Sequence, residues 1–168
     1  ELTGPRVHAA NNSIYRQLEL DAPTLSRGRK AIVKALQGGM HLTRSEITAA
    51  LQPAISEPTG LRFLHIMMHA ELEGLICSGA RRGKAHTYAL TEERAPSARS
   101  LPREEALATL VTRYYTSHGP ATVRDFVWWS GLTAADTRAG LAMAKDVLHS
   151  EEIAGQTYWF AEPARPAA

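Results

Sequence analysis

The stretch HIMMH (65–69) holds two histidines four residues apart, His65 and His69. On one helix face that spacing can present two imidazoles to a metal ion. The glutamate that acts as general base in H-E-x-x-H is missing here, and no third ligand is evident. The pair therefore reads as two polar-face histidines, and no metal is expected. A second candidate is the run Arg81-Arg82-Gly83-Lys84, with His86 beside it. Flexible cations on a short loop can reach nucleic-acid phosphates and displace counterions, although a solvated turn carries the same residue types. Arg27, Arg29, Lys30 and Lys34 form another basic group, for which a solvated helix face is the better reading. Trp128 and Trp129 stand side by side in DFVWWSGL (125–132), in a chain with three tryptophans. On a helix their side chains point about 100° apart, so they cannot both fill one core stripe.

No arrangement for covalent or acid–base catalysis accompanies these residues. There is no G-x-S-x-G and no glycine-rich phosphate loop. Glu104-Glu105 and Glu151-Glu152 read as a helix first turn and a solvated strand start. Catalytic residues and cofactors are both expected to be absent. Cys77 is the one cysteine, which excludes an internal disulfide and a multi-cysteine zinc site and fits a reducing compartment. No apolar run approaches the length of a membrane span and no signal peptide heads the chain, so a cytoplasmic protein without a membrane partner is expected. The first residue is Glu1 rather than Met, which reads as a processed or shortened chain.

The elements that must position these residues occur in the same order twice. LSRGRKAIVKALQGG (25–39) reads as a helix capped by Ser26 and ended by Gly38-Gly39. LTRSEITAAL (42–51) is a short helix in which Thr43 and Glu46 have capping-box spacing. LRFLHIMMHAELEGL (61–75) is a longer, strongly apolar helix, and ICSGARRGKAHTYAL (76–90) a hairpin. The polar residues of that longer helix, Arg62, His65, His69 and Glu73, lie on one narrow stripe, too limited for an ordinary major-groove reader. The polar, proline-bearing TEERAPSARSLP (91–102) separates the copies. The second runs through helices at 103–119, 120–131 and 133–148, with Thr122/Asp125 and Thr133/Asp136 repeating the cap spacing, and closes with a hairpin at 151–161. The expected fold is mainly α with small β-hairpin wings (α+β): two tandem winged helix-turn-helix modules. The expected boundaries are an N-terminal helical segment at 1–22, a first module at 23–92, a linker at 93–102 and a second module at 103–168. The formal net charge is +2, with 12 Lys/Arg against 9 Asp/Glu in residues 1–95 and 7 against 8 in the rest. Attraction to a polyanion should therefore come from the first half.

LTRSEITAAL, MHAELEGLICSGARRGKAHTYAL, REEALATLVTRYYTSHGPATVRDFVWWSGL and the closing GQTYWF together resemble the middle of the AlkZ-like winged-helix DNA glycosylases of bacteria. The resemblance runs from about residue 20 to 161, and SHGPATVRDFVWWSGL (117–132) is its most specific element. It implies tandem winged helices that cradle double-stranded DNA, in enzymes that hydrolyse the N-glycosidic bond of alkylated bases, some of them unhooking crosslinks. It also implies a catalytic Q-x-Q or Q-x-D motif near the family's N-terminal winged helix. Gln17, Gln37, Gln52 and Gln156 form no such motif, and Gln17-Leu18-Glu19 only shares its outline. The chain is thus expected to be the central pair of modules, inactive alone, with the N-terminal and C-terminal regions of its parent as partners. DNA contact is expected through Arg81, Arg82, Lys84 and His86, with Arg62, His65 and His69 as further candidates, and nucleoid association when bound. A winged-helix transcriptional regulator and a packing scaffold without DNA contact are the alternatives. With Val123 at 0°, Phe126, Val127 and Ser130 cluster on its side of the short helix, Trp128 falls near 140° and Trp129 near 240°. One indole is expected to reach the module's own third helix and the other to pack between modules, with base stacking the weaker option.

Overall fold

A computed structural model describes residues 2–161, so the last part of the predicted second module, residues 162–168, lies outside the described residues. The chain is mostly helical with small antiparallel sheets, and it divides into two compact units, one covering Thr3–Ala98 and the other running from Arg99 onward. Among the described residues no helix is long and apolar enough to cross a membrane.

The first unit comprises α1 (Gly4–Gln17), α2 (Ala22–Leu36), β1 (Leu42–Thr43), α3 (Arg44–Leu51), α4 (Gly60–Leu72), β2 (Ile76–Ser78), β3 (Thr87–Leu90) and the one-turn α5 (Thr91–Arg94). Helix α2 starts earlier than the sequence suggested. Asp21, not Ser26, is its N-cap: the Asp21 carboxylate accepts the Thr24 N–H at 2.8 Å, and Pro23 occupies the first turn, where its missing N–H costs nothing. The α3 cap forms at the predicted spacing, with Glu46 Oε2 accepting both the N–H and the hydroxyl of Thr43 at 2.7 Å. The same threonine ends β1, a two-residue strand too short to leave a periodic signal. It pairs with β3, so the hairpin is part of a three-stranded sheet ordered β1-β3-β2. The predicted linker also starts differently, because α5 occupies its first residues. Glu93 there accepts the backbone N–H groups of Gly38 and Gly39 just past the end of α2. The core is built from Ile32 and Leu36 of α2, Ile47 and Leu51 of α3, and Phe63, Ile66 and Met67 of α4. Helix α4 packs against α1, α2 and β2, which explains why so few of its positions are polar.

The second unit comprises α6 (Arg103–His118), α7 (Val123–Ser130), α8 (Ala134–Met143), β4 (Leu148–Ile153) and β5 (Gln156–Ala161). Both predicted caps close reciprocally: Thr122 with Asp125 on α7, and Thr133 with Asp136 on α8. Gly131 ends α7 with φ 69°, the left-handed conformation that favours glycine. Helix α8 is shorter than predicted. The chain leaves it at Met143 so that the buried Leu148 can begin β4, whose pairing with β5 overrides the helical propensity of residues 144–148. Ala154 and Gly155, both at positive φ, form the two-residue hairpin turn between Ile153 and Gln156. Ala121 exchanges backbone hydrogen bonds with Trp159 at 3.0 and 2.8 Å, and so stands beside β5 as β1 stands beside β3. The order helix, short strand, helix, helix, hairpin therefore recurs in both units.

Close approach of α6 and α8 depends on Gly140. A Cβ at this position would sit 2.6 Å from Val111 Cγ2 and 3.1 Å from the Leu107 carbonyl oxygen. Gly140→Ala is expected to cost about 1–3 kcal/mol by overpacking, despite alanine's better helix propensity. Chemical denaturation checks this, since propensity alone would make the variant more stable.

Candidate functional site

The hairpin loop between β2 and β3 is ordered by polar contacts to the segment before α3. Arg82 Nη2 donates to the His41 carbonyl at 2.6 Å, and Arg82 Nη1 to Glu46 Oε1 at 2.7 Å. The Ala80 N–H donates to His41 Nδ1 at 2.8 Å, and the Thr87 hydroxyl to the Ala80 carbonyl at 2.6 Å. Arg82 is thus a brace. Arg81 and Lys84 are exposed and, among the described residues, make no hydrogen bond or ion pair. They are the cations on this loop able to take a new anion at no cost in existing contacts.

Glu46 holds the brace from the other side. Hydrogen bonds from the Thr43 backbone, then from Arg82 and the Thr43 hydroxyl, lower its carboxyl pKa to about 2. The unfolded chain protonates the same group near 4.5, so its contribution to stability is full above that pH. It is lost as pH falls towards about 2. NMR titration of the Glu46 carboxyl should give a midpoint near the lower value, and Arg82→Ala should move it back towards the ordinary one.

Alongside the hairpin, Thr43, Arg44, Ser45, Thr48, Gln52 and His86 line an open groove of about 690 Å³. The Arg44 guanidinium lies 4.8 Å above the Phe63 ring, a cation–π contact that aligns it at the groove wall. Arg44 and His86 line this groove, and Arg81 and Lys84 stand exposed on the same hairpin as His86, which gives α3 and the hairpin a basic surface. Such a surface can accept phosphate oxygens through charge-assisted hydrogen bonds. The part from α3 was missed in the sequence reading, although Ser45, Thr48 and Gln52 at i, i+3 and i+7 mark a polar stripe.

Arg62, His65 and His69 do not join that surface. They turn towards α1 and the residues that follow it. Arg62 pairs with Glu19 at 3.9 Å, the His65 ring meets the edge of Tyr15 at 6.1 Å, and the His69 ring lies 4.5 Å from that of His8. His65 Nδ1 also bonds the Leu61 carbonyl at 2.9 Å. The seven residues picked out as DNA-contact candidates thus divide between two places, four on the hairpin and three against α1.

The tryptophans separate as well. Trp129 packs on α6 of its own unit, with ring centres 4.9 Å from Tyr114 and 6.1 Å from His118, and it lies 6.0 Å from Phe126. Its helix partner is thus the unit's first helix, not the third as expected, because α7 turns its Phe126 side into the core and carries Trp129 towards α6. Trp128 is 87% exposed. A second open groove, of about 540 Å³, is lined by Arg124, Arg138, Gln156 and Trp159. The sequence reading did not single out its two arginines, each of which lies within two residues of an aspartate in the chain.

Comparison with known proteins places this geometry. The sequence profile of the family described as DNA glycosylase AlkZ-like matches residues 2–168. The solved structure of the Streptomyces sahachiroi DNA glycosylase AlkZ is similar with a TM-score of 0.66 at 19% identity, over 89% of this chain and 43% of that one. The chain thus spans less than half the length of that relative. No curated protein sequence matches it. With a family match over nearly every residue and a shared fold, the chain belongs to the AlkZ-like DNA glycosylase family.

Proposed function

We propose that this chain is the DNA-binding, tandem winged-helix region of a glycosylase that repairs alkylated or crosslinked bases, with the catalytic glutamine motif outside it. In this reading the order α2-β1-α3-α4-β2-β3 is one winged helix, and α6, Ala121, α7, α8, β4 and β5 form the next. The observation that carries the proposal is the basic surface of Arg44, Arg81, Lys84 and His86 beside the α3 groove. Exposed cations on a short hairpin tip favour sequence-independent contact with the phosphate backbone. A regulator using α4 for base readout is disfavoured, because the polar stripe of that helix is engaged by α1.

Fluorescence anisotropy with a random-sequence duplex, repeated across a salt series, tests the proposal. Binding should weaken linearly in log–log form as salt rises, with little dependence on sequence. Absence of binding would instead favour a scaffold that braces other parts of its parent, and strong preference for one sequence would favour a regulator. Incubation of this chain with alkylated duplex should release no free base.

A further inference from the structure

The polar cluster between α1 and α4 has no place in the proposed DNA surface, yet its composition is that of a ligand set. His8 of α1 comes together with His69 of α4 and with Glu73, one turn further at the end of that helix. The potential donor atoms of the three all lie within 4.8 Å of one another, and His8 Nε2 is 3.1 Å from Glu73 Oε1. We infer that His8, His69 and Glu73 form a site for a divalent transition-metal ion of the zinc class, pinning α1 to α4.

Tetrahedral zinc, with metal–ligand bonds near 2.0–2.2 Å, needs donors about 3.3 Å apart. The His8–Glu73 pair already has that spacing, and the His69 donor lies within 4.8 Å of both. Two imidazoles and one carboxylate select zinc, cobalt or nickel over magnesium and calcium, which take mostly oxygen donors. Three protein ligands leave a fourth position for water, and His8 and His69 line an open groove of about 600 Å³ from which it can enter. The support behind the first ligand is also present. Tyr15, itself buried, lies with its hydroxyl 2.9 Å from His8 Nδ1. With Nδ1–H donating to that oxygen, the lone pair of Nε2 is directed at the metal, the usual role of a partner behind a ligating histidine.

Burial lowers the pKa of His69, aided by the neighbouring His8 and by Arg29 on α2, while Glu73 opposes the shift. His65, four residues from His69 on the same helix, is instead engaged with Leu61 and Tyr15.

Cobalt(II) and zinc(II) titrations of the 168-residue chain test the site. One cobalt per chain should give the intense visible bands of tetrahedral coordination, abolished by stoichiometric zinc, and zinc should raise the melting temperature. His69→Asn and Glu73→Gln should each weaken binding by at least about 100-fold, and Tyr15→Phe by about 10–100-fold. His65→Asn should leave binding unchanged. Lack of the cobalt bands, or binding that survives both ligand substitutions, overturns the inference. If His69→Asn fails to fold by circular dichroism, Glu73→Gln at the exposed end of the helix gives the same reading. None of these outcomes depends on DNA binding.

Discussion

Arg44→Ala, Arg81→Ala and Lys84→Ala combined are expected to remove about 2.7 from the slope of log K against log salt, at about 0.9 for each phosphate left without its cation. At about 50 mM salt each such cation–phosphate pair contributes roughly a tenfold gain in affinity, so the triple variant should bind duplex on the order of 10³-fold more weakly. The effect follows from how these cations are engaged in the folded chain. Among the described residues Arg81 and Lys84 are exposed and make no ion pair, and Arg44 lies over the Phe63 ring, so their charge is available to a polyanion. Arg82 differs. Its guanidinium is committed to Glu46 and the His41 carbonyl, so Arg82→Ala should act by loosening the hairpin, with little change in slope. Anisotropy titrations at several salt concentrations separate the two cases. A triple variant with unchanged slope would remove α3 and the hairpin from the proposed interface, and the arginine groove of the second unit would be the next surface to test.

Phe126→Ala is expected to destabilise the second unit by about 3–5 kcal/mol. The ring is fully buried, 5.1 Å edge-on from Tyr114 and 5.9 Å from Tyr115 in near-parallel stacking, with Trp129 6.0 Å away. Removing it leaves a cavity bounded by rigid rings from two helices, which cannot readily collapse. For a unit of this size the loss corresponds to a fall in melting temperature of more than about 12 °C. Trp128→Ala, two residues away, removes a larger side chain and should change stability by less than about 0.5 kcal/mol, because its indole is already in water. Differential scanning calorimetry of the two variants decides the point. Equal effects would mean that Trp128 is held by contacts its exposure does not reveal.

Much of the local architecture was legible because it depends on short-range chemistry. The Thr-x-x-Glu and Thr-x-x-Asp caps at 43, 122 and 133, the Gly38-Gly39 stop and the apolar spacing of the helices each act over a few residues. Departures arose where a remote partner overruled local preference. The end of α8 was set by strand pairing, β1 and Ala121 were too short to signal themselves, and Ser26 lost the cap to Asp21 once Pro23 was placed in the first turn.

The candidate sites show the same division more sharply. By itself the sequence determined the family resemblance, the repeated order of elements and the presence of a basic hairpin, since all three reside in residue types and their spacing. Only the tertiary structure decided which cations were committed and which were available. The hydrogen bonds of Arg82 end on His41 and Glu46, about forty residues away in the chain. Only the fold, too, could bring His8 to His69 and Glu73 across more than sixty residues, or bury Phe126 while leaving Trp128 in solvent. Contacts between residues far apart in sequence have no local signature. They come from the packing of apolar helix faces, which carries the polar groups on the opposite faces into one another's reach.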